Sequence, residues 1–491
     1  MLIRHTLAYL PAQLLSPLLQ FATAIVLTHA LGAADYGLTM LIFASQELVF
    51  LVCLSWWTTF ALRYGARFEA QGSAHLLASA AGAVVLLSSV AQVAGTVAII
   101  AVTEPSVPWH FYAVACLFTV TRSSLGFLSE RARGQAAIGA YSLVQIAAPL
   151  GGLALTLLGM RMGLSTPTQV LGVFGLSQAV IGFAVAAKMG LLTRPVVPDR
   201  EMLRAALSFG APVALSNFLC WIGGNGIRFV VLHGAGAVAL GLMSLGWGLA
   251  TRLASVAAMT VSAAAYPLAI QAMEAGDSPG AKRQLSNNSA LLLALLAPAA
   301  AGMWALAQPF VELLVAPEYH AMTLAVLPWA LLGACIRNLR THGWDQLYLL
   351  CEAPRAMVVL DAAEALLTVL AAVIGLWWAG VPGAVIGCAV AAALIAVGDW
   401  AYLRRRFGLQ APLGVYFRIL CASGAMYAGL AMLAHMGWQA GAQVLELAAA
   451  AMLGTLIYSL ALLLLFPAQA LRAGRWVLQR ARQQQPESHP L

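Results

Sequence analysis

Six arginines lie well inside stretches of sequence that are otherwise apolar enough to cross a membrane. An arginine near the centre of a bilayer costs about 2.5 to 3.5 kcal/mol on insertion scales, so several of them facing lipid would oppose insertion. We therefore expect most of these side chains to face water, acidic side chains or an anionic ligand. A guanidinium suits a phosphate group because it donates two parallel hydrogen bonds to it. The six residues are Arg122, Arg228, Arg252, Arg337, Arg340 and Arg418.

Arg228 and Arg252 are the strongest candidates for lining a ligand-binding cavity. No acidic residue lies within one helical turn of either position to neutralise its charge locally. Arg122 also lies inside its apolar segment and is a further cavity candidate. Arg418 lies near the end of its segment, where a long side chain can extend its charge to the membrane surface. Arg228, Arg252 and Arg122 are therefore predicted to line the binding cavity.

Two arginines of one segment are followed by two acids of the next. Arg337 and Arg340 lie three residues apart, and so do Asp361 and Glu364. If the intervening turn is short, equal rise along both helices places Arg340 level with Glu364, and Asp345 level with Asp361. An ion pair between Arg340 and Glu364 is therefore predicted, and without it both residues remain candidates for the cavity. Arg337 has no acid at matching depth and is predicted to face the cavity.

The embedded acids are candidates for ion coupling. Glu47 is the main acid inside the apolar segments of the first half of the chain. It is expected either to bind a coupling proton or ion, or to pack through a hydrogen bond. Asp361 and Glu364 are the corresponding candidates in the second half. Asp399 lies close to the arginines at 404 to 406 and is expected to belong to that helix end.

Metal-binding and catalytic motifs are not found in the sequence. His29 and His233 end apolar segments, but no companion ligands are spaced to complete a metal site. The seven cysteines are scattered without a CxxC pair and are typical of small buried apolar residues. P-loop, HExxH, nucleophile-elbow and paired-carboxylate signatures are missing. We therefore predict no metal, no cofactor and no enzymatic activity.

The elements that must position these residues are membrane-spanning helices. The chain is 62% hydrophobic and 9% charged, with a mean hydropathy of +0.86, so its polar surface is too small for a soluble globule. Long apolar runs predict helices, and the alternation of an outer-membrane barrel is missing. The fold class is an all-α polytopic membrane protein with about 14 transmembrane helices. The segments are 5–30, 38–62, 75–103, 108–130, 138–160, 167–189, 203–232, 238–270, 289–312, 321–350, 353–378, 383–403, 413–436 and 441–466.

An internal repeat organises these segments. The sequence HALGAADYGL at 29–38 returns as HGAGAVALGL at 233–242, each time between two apolar runs. Six segments separate the copies, so both halves start on the same side and form two parallel six-helix repeats plus a terminal helix pair. The predicted units are an N-lobe at 1–196, a C-lobe at 197–406, a helix pair at 407–470 and a basic, partly disordered tail at 471–491.

Helix-breaking residues occur in the first segment of each repeat, Pro11 and Pro17 in one and Pro212, Gly223, Gly224 and Gly226 in the other. Breakers at corresponding positions of two repeats indicate either a cavity-lining helix or close helix packing. The first segments are therefore expected to lie beside the cavity or in the interface between the lobes.

Charge bias predicts the orientation in the membrane. Basic residues are expected in cytoplasmic loops. Lysine and arginine residues cluster in alternate connections between the apolar segments. Although the net charge is +8, these basic residues are not interleaved with aromatic residues as they are on a nucleic-acid-binding surface. We predict that both termini lie in the cytoplasm. The residues of the basic connections are Arg63, Arg67, Arg131, Arg133, Lys188, Arg194, Arg200, Arg204, Lys282, Arg283, Arg355 and Arg404 to Arg406, and the other face carries Asp35, Glu104, Glu312, Glu318 and Arg161.

The motifs resemble those of a known family, the polysaccharide-transport or Wzx-type branch of the multidrug/oligosaccharidyl-lipid/polysaccharide exporter (MOP) superfamily. LTHALGAADYGL, ending at Leu38, resembles the first turn of that family, and NGIRFVV, which contains Arg228, resembles its seventh helix. APEYHAMTLAVL from Ala316 and AGVPGAVIGCAVAAAL from Ala379 resemble two later turns. The aspartate that often precedes the family's arginine is Ile227 here. The resemblance extends along nearly the whole chain.

The resemblance implies a flippase. Such a protein moves an undecaprenyl-pyrophosphate-linked oligosaccharide from the cytoplasmic to the periplasmic leaflet of a bacterial inner membrane by alternating access, for exopolysaccharide, O-antigen or capsule synthesis. The implied partners are this lipid-linked oligosaccharide, the bilayer, and the polymerase and chain-length machinery, and nucleic acid is not among them. Arginines in a water-filled cleft suit a pyrophosphate.

Other functions fit the sequence less well. A multidrug or small-solute antiporter of the same superfamily would favour embedded acids over arginines. A membrane glycosyltransferase or polymerase would need a larger loop or an acidic catalytic motif outside the membrane. A structural scaffold would not need buried charge.

Overall fold

The structure is a computed structural model that describes residues 2–192, 196–198, 200–351, 353–436 and 443–467. The predicted tail at 471–491, and Arg194 of the basic connections, lie outside the described residues. The described part of the chain consists of helices and short turns, with no strand. This confirms the predicted all-α class.

Twelve continuous helices in the described part are long and apolar enough to cross a membrane. Two of them are broken once near the middle, Arg200–Glu274 at Gly236 and Pro354–Phe407 at Ala379 and Gly380. The described chain therefore makes fourteen crossings, as the sequence predicts. We number them α1 (Leu2–Ala30), α2 (Ala33–Cys53, continued by Ser55–Ala70), α3 (Ala74–Thr103), α4 (Trp109–Gly134), α5 (Ile138–Ser142, Leu143–Ala147 and Ala148–Arg161), α6 (Pro167–Lys188), α7 (200–235), α8 (237–274), α9 (Ser278–Ala305), α10 (Pro317–Tyr319, His320–Leu339, Arg340–Trp344 and Gln346–Leu350), α11 (354–378), α12 (381–407), α13 (Leu413–His435) and α14 (Gln443–Leu465).

The turn between α7 and α8 depends on one glycine. Gly236 has a φ of 85°, a left-handed backbone conformation that a residue with a Cβ adopts only at a cost in free energy. It lies in the second copy of the repeated sequence, where Gly32 is the matching residue of the first copy. Gly32 has a φ of −67° and an extended backbone instead. The two copies thus make their turns with different backbone geometry.

The two lobes meet through the repeated sequence. Gly37 on α2 and Gly241 on α8 are matching residues of the two copies, and their backbones are in direct contact. A methyl group on either glycine would overlap backbone atoms of the other helix. The face of the molecule that carries these two first turns is called the His29 face below. Close helix packing at a glycine pair closes the lobes together at this face.

A segment of the C-lobe closes the same face further. The short helix Ala307–Leu314 and the turn after it pack over the α1–α2 turn. The Tyr319 hydroxyl donates a hydrogen bond of 2.8 Å to the carbonyl of Leu31, and the backbone N–H of Ala33 donates one of 3.0 Å to Glu318. These contacts join residues that lie 288 and 285 positions apart in the chain. They fix the N-lobe turn to the C-lobe.

The terminal pair packs on one side of the C-lobe. Helix α13 lies against α9 and α14, around a small apolar cluster that contains Met426 and Leu430. The Tyr458 hydroxyl of α14 donates a hydrogen bond of 2.8 Å to the carbonyl of Ala294 on α9. Neither helix lines the cavity between the lobes described next, so the fourteen crossings divide into two six-helix lobes and an accessory pair.

Candidate functional site

Three adjoining cavities lie between the lobes and share Gln20 of α1 and Glu47 of α2 in their walls. The largest has a volume of about 480 Å³ and is lined mainly by α7, α8, α10, α11 and α12. A second, of about 330 Å³, is lined mainly by α1, α2, α4 and α5. A smaller cavity connects the two lobes at the level of Glu47. Together they form one central cavity that both lobes line.

Three arginines from three helices converge on the part of this central cavity next to Glu47. Arg122 comes from α4 of the N-lobe, and Arg228 and Arg252 come from α7 and α8 of the C-lobe. Glu47 of α2 is the acid that interacts electrostatically with all three guanidiniums. Its side chain is accessible within the cavity. The lobes thus bring together four residues that are far apart in the sequence.

The local contacts leave these arginines largely unpaired. Among the described residues, none of the three forms an ion pair within 4.0 Å of a carboxylate. Arg228 donates a hydrogen bond to the side chain of Asn225, one turn earlier on α7. Its Nε atom is buried and has no hydrogen-bond partner. Glu47 accepts a hydrogen bond of 3.3 Å from the Trp221 indole.

The electrostatic consequence is an anion-attracting site. Three guanidiniums and one carboxylate leave a positive excess in a cavity walled by apolar helices. Low-dielectric walls strengthen this field relative to water. Guanidinium groups that converge from different helices are suited to a phosphate or pyrophosphate, since each offers planar paired donors. The arrangement is able to hold a multiply charged anion between the two lobes.

The C-lobe side of the cavity contains an ion-pair network. The Glu364 carboxylate of α11 forms ion pairs with two arginines of α10, at 2.6 Å from Arg340 Nη2 and 3.1 Å from Arg337 Nε. The predicted Arg340–Glu364 pair is therefore confirmed. The prediction that Arg337 has no acid at its depth is wrong, because the Glu364 carboxylate contacts both Arg337 and Arg340 of α10. Arg337 and Glu364 lie in the cavity wall, whereas Arg340 is 1% exposed and lies behind them.

Glycines of α7 make room for this network. Gly223 and Gly224 lie against Arg337, and a Cβ on Gly224 would collide with its guanidinium. Arg337 also donates a hydrogen bond to the backbone carbonyl of Cys220, one turn earlier. The helix breakers predicted from the sequence thus serve packing and line the cavity at the same time. Pro212 lies in the same helix, which continues through it.

The remaining embedded acids are fully buried. Asp361 is 4% exposed and accepts a hydrogen bond of 2.6 Å from Ser216 of α7. Helix rise predicts that Asp345 lies level with Asp361. In the structure Asp345 instead faces Arg340, with 3.5 Å between Asp345 Oδ2 and Arg340 Nη1. The expectation that Asp399 belongs to the basic helix end is also wrong. It is 3% exposed, and its partners are side chains of α10.

Both histidines of the repeated sequence make helix-end contacts. His29 lies 3.0 Å from the carbonyl of Leu314, and the His233 ring contacts the carbonyl of Phe229 at 2.9 Å. Across the described residues, no group of three or more His, Cys, Asp or Glu side chains is placed to hold a metal ion.

Neutral polar residues complete the cavity, and the sequence analysis missed them. Gln20, Gln178 and Asn225 face the cavity beside the arginines, and Gln145 lies on its N-lobe side. An amide side chain inside an apolar segment costs free energy unless it is hydrogen-bonded. That cost could have identified these residues from the sequence, because each of them lies within a predicted membrane-spanning segment. Trp221 carries no such signal, since an indole is common in apolar segments.

Solved structures of a lipid II flippase and of MATE family transporters have the same fold. The lipid II flippase MurJ in an inward closed conformation is similar with a TM-score of 0.68 at 11% identity, over 95% of this chain and 100% of that one. An inward-facing multidrug resistance MATE family transporter of the MOP superfamily gives 0.59 at 14% identity, over 82% and 98%. A MOP superfamily transporter from Pyrococcus furiosus gives 0.54 at 15% identity, over 83% and 95%. The chain has the fold of this superfamily.

The family follows from the sequence itself. Residues 2–273 match the model of a family described as polysaccharide biosynthesis protein, and the chain belongs to that family. The match covers the N-lobe together with α7 and nearly all of α8, and it includes Arg122, Arg228 and Arg252. A search of the curated proteins finds none that is similar in sequence.

Proposed function

We propose that this protein flips an undecaprenyl-pyrophosphate-linked oligosaccharide from the cytoplasmic to the periplasmic leaflet of a bacterial inner membrane. The observation that carries the proposal is the part of the central cavity in which Arg122, Arg228 and Arg252 surround Glu47. Membership of a polysaccharide biosynthesis family and the fold of a lipid II flippase support the same substrate class.

The pyrophosphate is the part of the substrate that this cavity recognises. A pyrophosphate cannot cross a hydrocarbon layer unaided, because its charge is strongly solvated in water. Arginines from both lobes replace that solvation with paired hydrogen bonds. The oligosaccharide occupies the rest of the cavity, where amide side chains such as Gln20 and Gln178 offer donors and acceptors. The polyprenyl chain stays in the surrounding lipid.

Alternating access follows from the two-lobe layout. The lobes, residues 1–196 and 197–406, move relative to each other, while the pair at 407–470 travels with the C-lobe. Contacts at the His29 face hold the lobes together in the conformation described. With the His29 face toward the periplasm and both termini in the cytoplasm, this conformation is closed to the periplasm. The polymerase and chain-length machinery then consume the flipped product.

Deleting the gene in its host tests the proposal. The expected result is loss of the surface or secreted polysaccharide and accumulation of a lipid-linked oligosaccharide in the cytoplasmic leaflet, identified chemically after extraction. Complementation with Arg252→Ala should leave the accumulation unchanged, at a protein level equal to wild type. Arg418→Ala is the matched control, because that arginine packs over Phe466 away from the cavity. A deletion strain without lipid-linked intermediates but with raised sensitivity to cationic compounds would instead identify a multidrug antiporter.

A further inference from the structure

A second polar cluster lies deep in the C-lobe, where α10 packs against α12. Asp345 of α10 is 5% exposed, and Asp399 of α12 is 3% exposed. The Asp399 carboxylate accepts hydrogen bonds of 2.7 Å from the Trp344 indole and 2.6 Å from the Tyr348 hydroxyl. The Asp345 carboxyl lies within hydrogen-bond reach of it. Apolar side chains, Leu403 among them, surround the pair.

The charges in this cluster do not balance. Arg340 interacts electrostatically with four carboxyl groups, those of Asp345, Asp361, Glu364 and Asp399. The second guanidinium of the cluster, that of Arg337, is bound to Glu364. Buried negative charge without a counter-charge is strongly disfavoured. If all four carboxyls were ionised, two negative charges would be left over, so the cluster needs at least one more positive charge.

The geometry shows where a proton fits. Both oxygens of Asp399 already accept hydrogen bonds, as a carboxylate requires. Asp345 differs, because its Oδ1 is buried and lacks a partner while its Oδ2 lies 3.5 Å from Arg340. Two carboxyl groups within hydrogen-bond reach cannot both be ionised in an apolar environment. A proton on Asp345 gives its Oδ1 the partner it lacks, because the resulting O–H donates to the Asp399 carboxylate, whose oxygens can each accept more than one hydrogen bond.

We infer that Asp345 and Asp399 form a proton-binding site, in which the carboxylic acid of Asp345 donates a hydrogen bond to the carboxylate of Asp399. Loss of the proton leaves both groups as carboxylates, and the proton leaves to solvent without any other bond changing. A single proton is the ligand. Across the described residues, no third His, Cys, Asp or Glu side chain is placed to complete a metal site here.

The site is connected to the central cavity through Arg340. Without the proton, Asp345 attracts the Arg340 guanidinium more strongly and weakens its hold on Glu364. Glu364 and Arg337 lie in the cavity wall, so the change reaches the cavity through two contacts. Residues Arg340 to Trp344 form a π-helical turn of α10, an irregularity common at functional sites. The coupling of this site to transport rests on the proposed function, whereas the proton site itself does not.

The other titratable groups around the pair are accounted for. Tyr348 of α10 donates its hydroxyl hydrogen bond to Asp399, and Tyr402 of α12 stacks on the Tyr348 ring. Asp361 of α11 is held by the Ser216 hydroxyl, and Glu364 by two arginines. The pair is therefore the group of this cluster to which the proton is assigned.

Infrared spectroscopy of the purified full-length protein tests the proton site directly. The wild type at neutral pH should show the carbonyl band of a buried carboxylic acid, shifted in heavy water. Asp345→Asn and Asp399→Asn should each remove the band. Asp361→Asn is the matched control, since it removes a buried carboxyl of the same cluster outside the pair, and the band should remain. A wild type without the band, or a band that persists in Asp345→Asn or disappears in Asp361→Asn, would overturn the site.

Folding does not obscure the test. The amide of Asn at position 345 donates the hydrogen bond that the proton supplies, so Asp345→Asn should unfold at nearly the wild-type temperature. If that variant does not fold, the Asp399→Asn spectrum decides. Cells carrying Asp345→Asn should export at least tenfold less polysaccharide. Normal export with the band removed would overturn the coupling and leave the proton site standing. Deletion cells without lipid-linked intermediates would overturn the proposed function alone.

Discussion

Gly37 and Gly241, matching residues of the two copies of the repeated sequence, touch each other across the interface between the lobes. Each glycine leaves no room for a Cβ, because the backbone of the opposite helix occupies that space. A duplicated turn that first appears only as a sequence repeat is thus the contact at which the two repeats meet. Glycines at this contact allow α2 and α8 to approach closely, since small residues permit the closest helix packing.

Enlarging one of these glycines should force the His29 face open. Gly241→Val places two methyl groups against the backbone of α2, so we expect the lobes to separate there and export to fall at least tenfold. A cysteine placed at Leu31, which is 3% exposed, should then react faster with a membrane-impermeant thiol reagent. Gly424→Val in α13 is the control, because a Cβ there meets no neighbouring atom. Equal labelling rates in the two variants would contradict this role of the glycine pair.

The hydrogen bond from Tyr319 to the carbonyl of Leu31 should stabilise the closed His29 face. Tyr319→Phe leaves a buried carbonyl without its donor, which costs about 1 to 3 kcal/mol. The thermal unfolding midpoint in detergent should fall by several degrees, roughly 2 to 4 °C per kcal/mol for a large chain. Tyr427→Phe is the matched control, since Tyr427 is 41% exposed and packs against Trp304. A Tyr319→Phe midpoint equal to that of the control would refute the prediction.

Charge reversal in the Arg340–Glu364 pair should recover stability only in part. Either single reversal leaves a buried charge uncompensated and should cost about 3 to 5 kcal/mol. The double variant Arg340→Glu with Glu364→Arg restores the pair, but it sets two guanidiniums side by side at 337 and 364, because Glu364 also binds Arg337. Unfolding midpoints of the three variants in detergent measure this. Full recovery in the double variant would show that the Arg337 contact contributes little.

Removing the Glu47 carboxylate should strengthen anion binding. Glu47→Gln keeps an acceptor for Trp221 but removes the negative charge that faces Arg122, Arg228 and Arg252. We expect inorganic pyrophosphate to bind about tenfold more tightly, on the order of 1.4 kcal/mol, measured by calorimetry on purified protein. Arg252→Lys should retain part of the affinity and Arg252→Ala very little. Unchanged affinity in Glu47→Gln would separate this acid from the binding site.

The positions of the membrane-spanning helices could be predicted from sequence because hydrophobicity acts locally. A run of apolar residues has to form a helix in the membrane wherever its neighbours lie, since backbone groups cannot be left without hydrogen bonds in lipid. The family match and the repeat also follow from the sequence alone. Prediction of the Arg340–Glu364 pair succeeded for a related reason, because both residues belong to one hairpin and helix rise fixes their relative depth.

The contacts that cross between hairpins could not be predicted in this way. Glu364 binds Arg337 as well as Arg340, although helix rise pairs it with only one of them, because a long side chain spans a turn of the neighbouring helix. Asp399 turns toward Trp344 and Tyr348 of α10 and not toward the arginines of its own helix end. The rotation of each helix about its axis decides these partners, and a hydropathy pattern with apolar residues on all sides leaves that rotation open.

The sequence by itself determined that this chain is a polytopic helical membrane protein with two parallel repeats and embedded arginines that require polar surroundings. Tertiary structure decided which arginines share a cavity: Arg122 from one lobe joins Arg228 and Arg252 from the other around Glu47, while Arg340 is buried behind the wall. The physical reason is that insertion into the membrane depends on the summed free energy of each segment, whereas the environment of one charge depends on how the lobes pack.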